Sequence, residues 1–246
     1  MTRTGRVLDH TMIVFAAVFG VGSIILLVAG GSTGFTHFGW SERYILLWDT
    51  LLSLLFFVQH SGMVRRSFRQ RLATMVPPLY HGALYAIASG VALAIVAVFW
   101  QRSDSSLLVL QGIPRLIAYA CSLLAVCIFG LSIYALRSFD MLGIGPIWAH
   151  VHHADHQPGP FVVRGPYRWV RHPLYSCILV LFWANPDLTT DRLLFNLLWT
   201  AWIYAGAALE ERDLTREFGE VYGQYRKVVP MLIPWRIPAR KTGLQS

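Results

Sequence analysis

Apolar residues in this chain are gathered into long runs that short polar connections separate. A transmembrane helix needs about 20 consecutive, mostly apolar residues. Six stretches reach or approach that length: 11–30, 43–60, 79–100, 114–136, 173–186 and 192–209. The fifth is short and closes at Asn185-Pro186, so the last two predict a helical hairpin joined at 186–191. The pattern therefore predicts an all-α integral membrane protein with about six transmembrane helices.

The polar segments indicate where a functional site lies. The longest connection covers 137–172, and functional residues are often carried on such loops. The tail from 210 to 235 alternates charged residues with Tyr and Phe, which predicts a short interfacial helix lying back on the bundle. Since no long linker or repeat interrupts the chain, we interpret 1–246 as one domain, with core spans at 11–136 and the functional part at 137–235.

Composition supports a membrane protein. The chain is 55% hydrophobic and 14% charged, whereas soluble domains carry about 25% charged residues. The first apolar run is longer than a signal-peptide core and lacks a clear cleavage site, so we interpret it as a retained span. The cysteines lie within apolar runs, which indicates neither a disulfide framework nor a zinc site: Cys121, Cys127 and Cys177.

The distribution of basic residues predicts the topology. If the N-terminus is cytoplasmic, all Lys and Arg residues fall on the cytoplasmic side except Arg43, Arg102, Arg115 and Arg192. This bias predicts that both termini are cytoplasmic. Arginines beside apolar spans contact anionic lipid headgroups, so the bilayer accounts for the net charge of +8. We expect no nucleic-acid partner, and no obligate protein partner is evident.

A dense polar motif precedes the fifth apolar run: Arg164-Gly165-Pro166-Tyr167-Arg168-Trp169-Val170-Arg171-His172-Pro173-Leu174-Tyr175. Proline suits the first position of a helix, so we predict that the fifth helix begins at Pro173. Its free N–H groups and Arg171 could bind a carboxylate. Arg171, His172 and Tyr175 have the spacing of one helix face. The alternative is a polar helix cap whose arginines contact phosphate headgroups.

Two acidic residues, Glu210 and Glu211, follow the last apolar run. Adjacent helical residues lie about 100° apart, so we expect one of the two to face inward. An inward carboxylate could bind an ammonium group or a pair of ribose hydroxyls. The alternatives are solvated charges at a helix end, or a partner for an arginine such as Arg168.

The ordered pattern R-G-P-Y-x-x-x-R-H-P-x-Y, then E-E, then Y-x-x-Y at 222–225 resembles the membrane methyltransferase superfamily. That group includes isoprenylcysteine carboxyl methyltransferases and phospholipid N-methyltransferases. The resemblance implies S-adenosyl-L-methionine as cofactor, in a pocket on the cytoplasmic face. The implied cofactor-binding residues are Gly165, Tyr167, Arg171, His172, Tyr175, Glu210, Glu211 and Tyr222.

Further segments are similar to the methanethiol S-methyltransferase branch, which is linked to NnrU-type membrane proteins: Phe57 to Arg65, Trp100-Gln101, Phe139 to Gly143 and Pro230 to Pro234. The resemblance implies methylation of a small thiol, such as methanethiol to dimethyl sulfide, in a bacterial-type inner membrane. The candidate catalytic residues are His60, Asp140 and Arg171. Of these, His60 and Asp140 could be the base or the pair that orients the acceptor. Alternatively, Gln59 and His60 only hydrogen-bond between helices.

Other functions stay open at this stage. The acceptor could be a lipid or isoprenoid carboxylate or amine. A haem protein with axial ligands among His60, His81 and His172 is a rival of another class. Transport is disfavoured, because only Asp49 lies within a span. The histidine-rich loop, with His150, His152, His153, Asp155 and His156, could bind a transition metal or form solvated surface; we assign no metal ligand.

Overall fold

The computed structural model describes residues 3–30, 35–136, 140, 142–154 and 161–236, of which helices form the larger part. The helices are α1 Arg3–Gly30, α2 Glu42–Val64, α3 Arg66–Leu72, α4 His81–Phe99, α5 Gly112–Ala135, α6 Gly145–His152, α7 Pro173–Trp183 and α8 Thr190–Val228. The strands are β1 Ser106–Val109 and β2 Asp187–Thr189, and 3-10 turns cover Pro78–Tyr80 and Gly165–Arg168. The chain divides into two compact units, Met1–Asp104 with Asp140–Pro158, and Ser105–Phe139 with Gly159–Ser246.

Among the described residues, five helices are long and apolar enough to cross a membrane: Gly5–Ser23, Glu42–Val64, Pro78–Phe99, Gly112–Ala135 and Thr190–Val228. These agree with an all-α membrane protein. The fifth predicted span forms the shorter apolar helix α7, with 11 residues. At 1.5 Å per residue, α7 is about 16 Å long, roughly half the thickness of a hydrocarbon core.

In the first unit, helices α1 and α4 pack through small side chains. Ala16 of α1 and Ala83 of α4 are fully buried in one apolar cluster, to which α6 contributes Ile147. Gly143, just before α6, has a φ of +63° and lies against the backbone of Gly82. A side chain at position 143 would therefore meet both backbone strain and a collision with α4. The close approach holds α6 on this helix pair.

Polar residues near one end of α4 tie it to α2 in the same unit. The backbone N–H of Gln101 donates to Oδ1 of Asp49 at 2.9 Å. The side chain of Gln101 donates to Oγ1 of Thr36 at 3.0 Å and accepts from the N–H of Phe38 at 3.0 Å. Asp49, the acidic residue within a predicted span, is thus fully buried with a structural partner.

In the second unit, β1 and β2 pair antiparallel, with Ser106 opposite Thr189 and Val109 opposite Asp187. The sequence did not predict this sheet, which replaces the loop expected between the fifth and sixth apolar runs. Arg115 fixes the pairing by donating to both carboxylate oxygens of Asp187, each at 2.9 Å. Because these residues are 72 positions apart, no local sequence pattern predicts the contact.

Helix α8 does not end with its apolar run. It continues through Glu210 and Glu211 to Val228, with one non-helical residue, Gly219, at φ 56° and ψ −128°. The first part of the tail predicted as a separate helix therefore extends the last span, and a second helix follows the kink at Gly219. Residues 210–218 are rich in Glu, Arg and Leu, which favour helix, and glycine tolerates the positive φ that interrupts it.

Candidate functional site

The candidate site in the second unit is built on the start of α7. This helix begins at Pro173, as the sequence predicts, and His172 is its N-cap residue. The turn before it starts at Gly165, whose φ of +53° favours glycine. A Cβ atom on Gly165 would also lie 3.3 Å from the side chain of Ala135 in α5. Gly165 therefore shapes the turn that carries Tyr167.

Arg171 joins three segments of the second unit. Its Nε donates to Oε1 of Glu211 at 2.5 Å. Its Nη1 donates to the backbone carbonyls of Arg226 at 3.0 Å and Val229 at 2.5 Å. The side chain is 9% exposed, so these are buried, charge-assisted hydrogen bonds. The sequence predicted Arg171 as a ligand of a carboxylate from the cofactor, and the structure adds that Glu211 already bonds to it.

The tail that follows α8 returns to the start of α7. The N–H groups of Arg171 and His172 donate to the carbonyls of Pro230 at 2.9 Å and Met231 at 3.1 Å. Oγ of Ser176 donates to the carbonyl of Leu232 at 2.7 Å. We call residues 229–232 the tail segment. These bonds hold it against the R-H-P-x-Y motif.

Glu210 and Glu211 have different surroundings, in agreement with their angular separation on the helix. Glu211 is 4% exposed and lies between Arg171 and Arg226, whose Nε is 3.2 Å from Oε2. The side chain of Glu210 is 41% exposed and accepts a hydrogen bond from the Tyr175 hydroxyl at 2.8 Å. Glu211 is thus the inward residue and its charge is balanced, whereas the carboxylate of Glu210 is partly exposed and bonds to a neutral hydroxyl.

His172 is buried between the two carboxylates. Its Nδ1 is 3.7 Å from Oε2 of Glu210, and its Nε2 is 3.4 Å from Oε1 of Glu211 without hydrogen-bonding geometry. The ring stacks on Tyr175 at 5.4 Å. Burial lowers the pKa of His172, although both carboxylates oppose that shift. Burial therefore favours the neutral imidazole, and the buried Nε2 has no hydrogen bond among the described residues.

Aromatic side chains cover the inner side of the site. Tyr222 is 1% exposed and packs against Phe161 and Tyr225 with ring centroids 5.6 and 5.8 Å apart. Its hydroxyl has no hydrogen-bond partner within the described parts of the chain. The Tyr225 hydroxyl donates to the carbonyl of Tyr167 at 2.6 Å. Burial and the charge of Glu210 raise the pKa of Tyr167.

Sequence reasoning missed Phe161, Ser176 and Arg226 as members of this site. Arg226 directly follows the second Tyr of Y-x-x-Y, and Ser176 follows Tyr175. Their positions beside the motifs could have indicated that both belong to the site. No sequence feature indicated Phe161, because it begins a short apolar stretch that resembles any segment of a hydrophobic core.

His60 lies in the first unit, where it links α2 to α4. Its Nδ1 is 3.0 Å from Oγ of Ser89, and its Nε2 is 2.6 Å from the hydroxyl of Tyr85. His60 therefore makes the helix-to-helix hydrogen bonds that the sequence left open, whereas the amide of Gln59 donates to Sδ of Met63 in its own helix. Because both ring nitrogens are hydrogen-bonded, this arrangement does not favour His60 as a haem ligand.

Asp140 also lies in the first unit and caps α6. Its two carboxylate oxygens accept the backbone N–H groups of Ile144 at 3.0 Å and Gly145 at 2.5 Å. Phe139, which precedes Asp140 in the segment 139–143, lies outside the described residues. The acceptor-side roles of His60 and Asp140 stay predictions.

The histidine-rich segment is described only up to residue 154, and His150 and His152 lie in the last turn of α6 and not in the predicted loop. His152 stacks on Trp148 at 4.1 Å and its Nδ1 is 2.9 Å from the Trp148 carbonyl, while His153 ends α6 at φ 54°. Asp155 and His156 lie outside the described residues. No group of three potential ligands occurs in the described part of the chain.

Comparison with known proteins adds an independent finding. Residues 123–212 match the isoprenylcysteine carboxyl methyltransferase (ICMT) family, a range that includes R-H-P-x-Y and both glutamates. The chain is 38% identical to methanethiol S-methyltransferase of Pseudomonas deceptionensis over 199 residues, covering 80% of this chain and 75% of that protein.

Two further relatives extend this comparison. Methanethiol S-methyltransferase of Mycobacterium tuberculosis (strain ATCC 25618 / H37Rv) is 32% identical over 76% of this chain and 77% of its own length. Nurim of Rattus norvegicus is 28% identical over 69% of this chain and 68% of its own length. No solved structure matches the chain.

Proposed function

We propose, because the chain belongs to the isoprenylcysteine carboxyl methyltransferase family together with the methanethiol S-methyltransferases, that it transfers a methyl group from S-adenosyl-L-methionine to a small thiol. Methanethiol, which would become dimethyl sulfide, is the proposed acceptor. The observation that carries the proposal is the cluster of Arg171, His172, Tyr175, Glu210 and Glu211, where one carboxylate is charge-balanced and the other is partly exposed.

The residues of this cluster fit S-adenosylmethionine. Glu210, oriented by Tyr175, would hold the ammonium group or the ribose hydroxyls. Two buried polar atoms without a partner among the described residues, Nε2 of His172 and the hydroxyl of Tyr222, would hydrogen-bond polar groups of the cofactor, since buried polar groups are normally paired. Tyr222 and Tyr175 would pack against the adenine or lie near the sulfonium.

The chemistry required of the protein is modest. S-adenosylmethionine, when bound, supplies an activated methyl group on a positively charged sulfur. The protein residues would orient the acceptor in line with that methyl group and exclude water. Arg171 would act by fixing Glu211 and the tail segment, so that the walls of the site keep their geometry.

Removing the Tyr222 hydroxyl should affect stability and cofactor affinity differently. Tyr222→Phe removes a buried donor that has no hydrogen-bond partner among the described residues, so the ligand-free protein should be as stable as the wild type or slightly more stable. Affinity for S-adenosylhomocysteine should fall about fivefold, which corresponds to about 1 kcal/mol for one lost hydrogen bond. Thermal unfolding and calorimetric titration measure the two effects.

Tyr225→Phe is the matched control, since that hydroxyl bonds to the carbonyl of Tyr167. It should lower thermal stability. Unchanged affinity in Tyr222→Phe would rule out the proposed contact with the cofactor.

A thiol acceptor must lose its proton, because the thiolate is the nucleophile. We propose, as the sequence predicts, that His60 acts on the acceptor side, either as the base or by orienting the acceptor. His60→Ala should therefore reduce turnover by roughly 100-fold, within the range of general base catalysis, and leave S-adenosylhomocysteine affinity unchanged. Steady-state product formation and calorimetry measure these quantities. Val58→Ala, an exposed position of the same helix, is the control, and normal turnover of His60→Ala would exclude the role.

The proposed topology has six spans, with α7 as a short fifth one, both termini in the cytoplasm and the site at the cytoplasmic face of the inner membrane. The excess of arginines beside the predicted cytoplasmic ends supports it. Cysteine substitutions at Arg168 and Arg102, tested in intact cells with a membrane-impermeant thiol reagent, should label only the second position. Labelling of position 168 would invert the topology.

The decisive experiment for function uses the detergent-purified protein. S-adenosylhomocysteine is titrated by calorimetry, and dimethyl sulfide is then measured in the headspace above protein, methanethiol and S-adenosylmethionine. Binding with product supports both the cofactor and the acceptor. Binding without product keeps the methyltransferase and directs the search to other thiols or to lipid carboxylates and amines. Absence of binding by folded protein would overturn the proposed cofactor.

A further inference from the structure

A short basic segment follows α2 in the first unit. Four arginines occur within seven positions: Arg65, Arg66, Arg69 and Arg71. All four are exposed. Arg65 has an extended backbone, with φ −61° and ψ 138°, which ends α2 and starts α3. We call residues 65–75 the basic segment.

The position of the basic segment follows from the length of α2. This helix has 23 residues and qualifies as a membrane span over its whole length. At 1.5 Å per residue it is about 34 Å long, close to the thickness of a hydrocarbon core of about 30 Å. The first arginine after Val64 therefore lies where the apolar part of a bilayer gives way to its headgroups.

Within the described residues, no carboxylate balances the charge of this segment. No Asp or Glu occurs in the sequence from Leu51 to Ser103. Within the described parts of the chain, none of the four guanidinium groups forms an ion pair or a side-chain hydrogen bond to another residue. Elsewhere in the chain, arginines such as Arg115 and Arg171 do have carboxylate partners. The basic segment thus offers four guanidiniums to an external anion.

Apolar side chains accompany these arginines. Phe68 and Leu72 are four residues apart on α3 and share a face, while Val64 and Met75 flank the helix. Val64, Phe68 and Met75 are exposed. A helix with a basic side and exposed apolar groups is typical of segments that lie in the plane of a membrane interface. An acidic soluble protein or a nucleic acid would match the charge but not these apolar groups at a bilayer boundary.

We infer that the basic segment is a binding site for anionic phospholipid headgroups of the surrounding bilayer. Guanidinium groups bind phosphate oxygens in a bidentate manner, and Phe68 and Met75 would enter the acyl boundary beside them. This site is independent of the proposed methyl transfer, because it uses none of the residues assigned to that reaction.

The test measures lipid selectivity of the full-length protein reconstituted in bilayers. Electron spin resonance with spin-labelled phosphatidylglycerol and phosphatidylcholine gives the relative association of the two lipids. We expect the wild type to prefer phosphatidylglycerol about threefold or more at low salt. The preference should weaken at roughly 0.5 M salt, because salt screens exposed charges. In the variant Arg65→Gln, Arg66→Gln, Arg69→Gln, Arg71→Gln, the ratio should fall towards about 1.

Two further variants define the outcome. Replacing the same four arginines by lysine keeps the charge, so most of the selectivity should remain. A control with Arg6→Gln, Arg43→Gln, Arg212→Gln and Arg216→Gln removes the same charge from exposed positions elsewhere. It should lose much less of the selectivity, because these arginines are dispersed along the chain. Unchanged selectivity in the basic-segment glutamine variant, or an equal loss in the control, would overturn the inference, and thermal unfolding verifies that each variant is folded.

Discussion

Glu211→Ala should lower the free energy of unfolding by about 3–5 kcal/mol, the usual effect of removing one partner from a buried ion pair. The change leaves the guanidinium of Arg171, which is 9% exposed, without its carboxylate. Arg226 would also lose the partner at 3.2 Å. The two backbone carbonyls that Arg171 contacts cannot replace a negative charge. The expected result is therefore a large loss of stability, with loss of cofactor binding as its consequence.

Thermal unfolding in detergent, followed by tryptophan fluorescence, measures this prediction. Glu210→Ala is the matched control, because the same deletion at the adjacent position removes a half-exposed carboxylate whose partner is a neutral hydroxyl. We expect its stability to change by about 1 kcal/mol or less, while S-adenosylhomocysteine affinity falls about tenfold, or about 1.4 kcal/mol. If Glu210→Ala were the more destabilising change, the assigned division between a structural and a ligand-binding glutamate would be wrong.

Arg171→Ala should release the tail segment and weaken S-adenosylhomocysteine binding about 100-fold, or about 2.7 kcal/mol. The side chain bonds to Glu211 and to the carbonyls of Arg226 and Val229. Its loss leaves Glu211 buried with Arg226 as the remaining arginine partner in the described structure. Arg171→Lys keeps the charge but not the planar fork, so it should restore only part of the affinity.

Hydrogen exchange followed by mass spectrometry separates this mechanism from a direct contact with the cofactor. Without ligand, Arg171→Ala should increase exchange in peptides that cover 229–232 and 171–176, because the hydrogen bonds to Pro230, Met231 and Leu232 would open more often. Arg168→Ala removes an exposed arginine from the same motif and should leave exchange unchanged. Weak binding with wild-type exchange in Arg171→Ala would show that Arg171 contacts the cofactor and does not position the tail segment.

A large part of the site was readable from the sequence, for local reasons. Pro173 begins α7 because its missing N–H and fixed φ suit the first helical turn. Two adjacent glutamates on one helix had to differ in orientation, although the sequence did not identify Glu211 as the inward one. Its buried partner is Arg171, 40 positions away, rather than the suggested Arg168.

The sequence by itself determined the class of this protein. Apolar runs of span length, few charged residues and the ordered motifs required a helical membrane protein and indicated its family, because these features depend on local composition and spacing. Tertiary structure alone decided the pairing of β1 with β2, the return of the tail segment to α7 and the bonds of His60 to Tyr85 and Ser89. It also buried the Tyr222 hydroxyl without a hydrogen bond among the described residues. Each of these features depends on packing between distant parts of the chain. The free energy of such contacts is set by burial and geometry, which a short stretch of sequence does not determine.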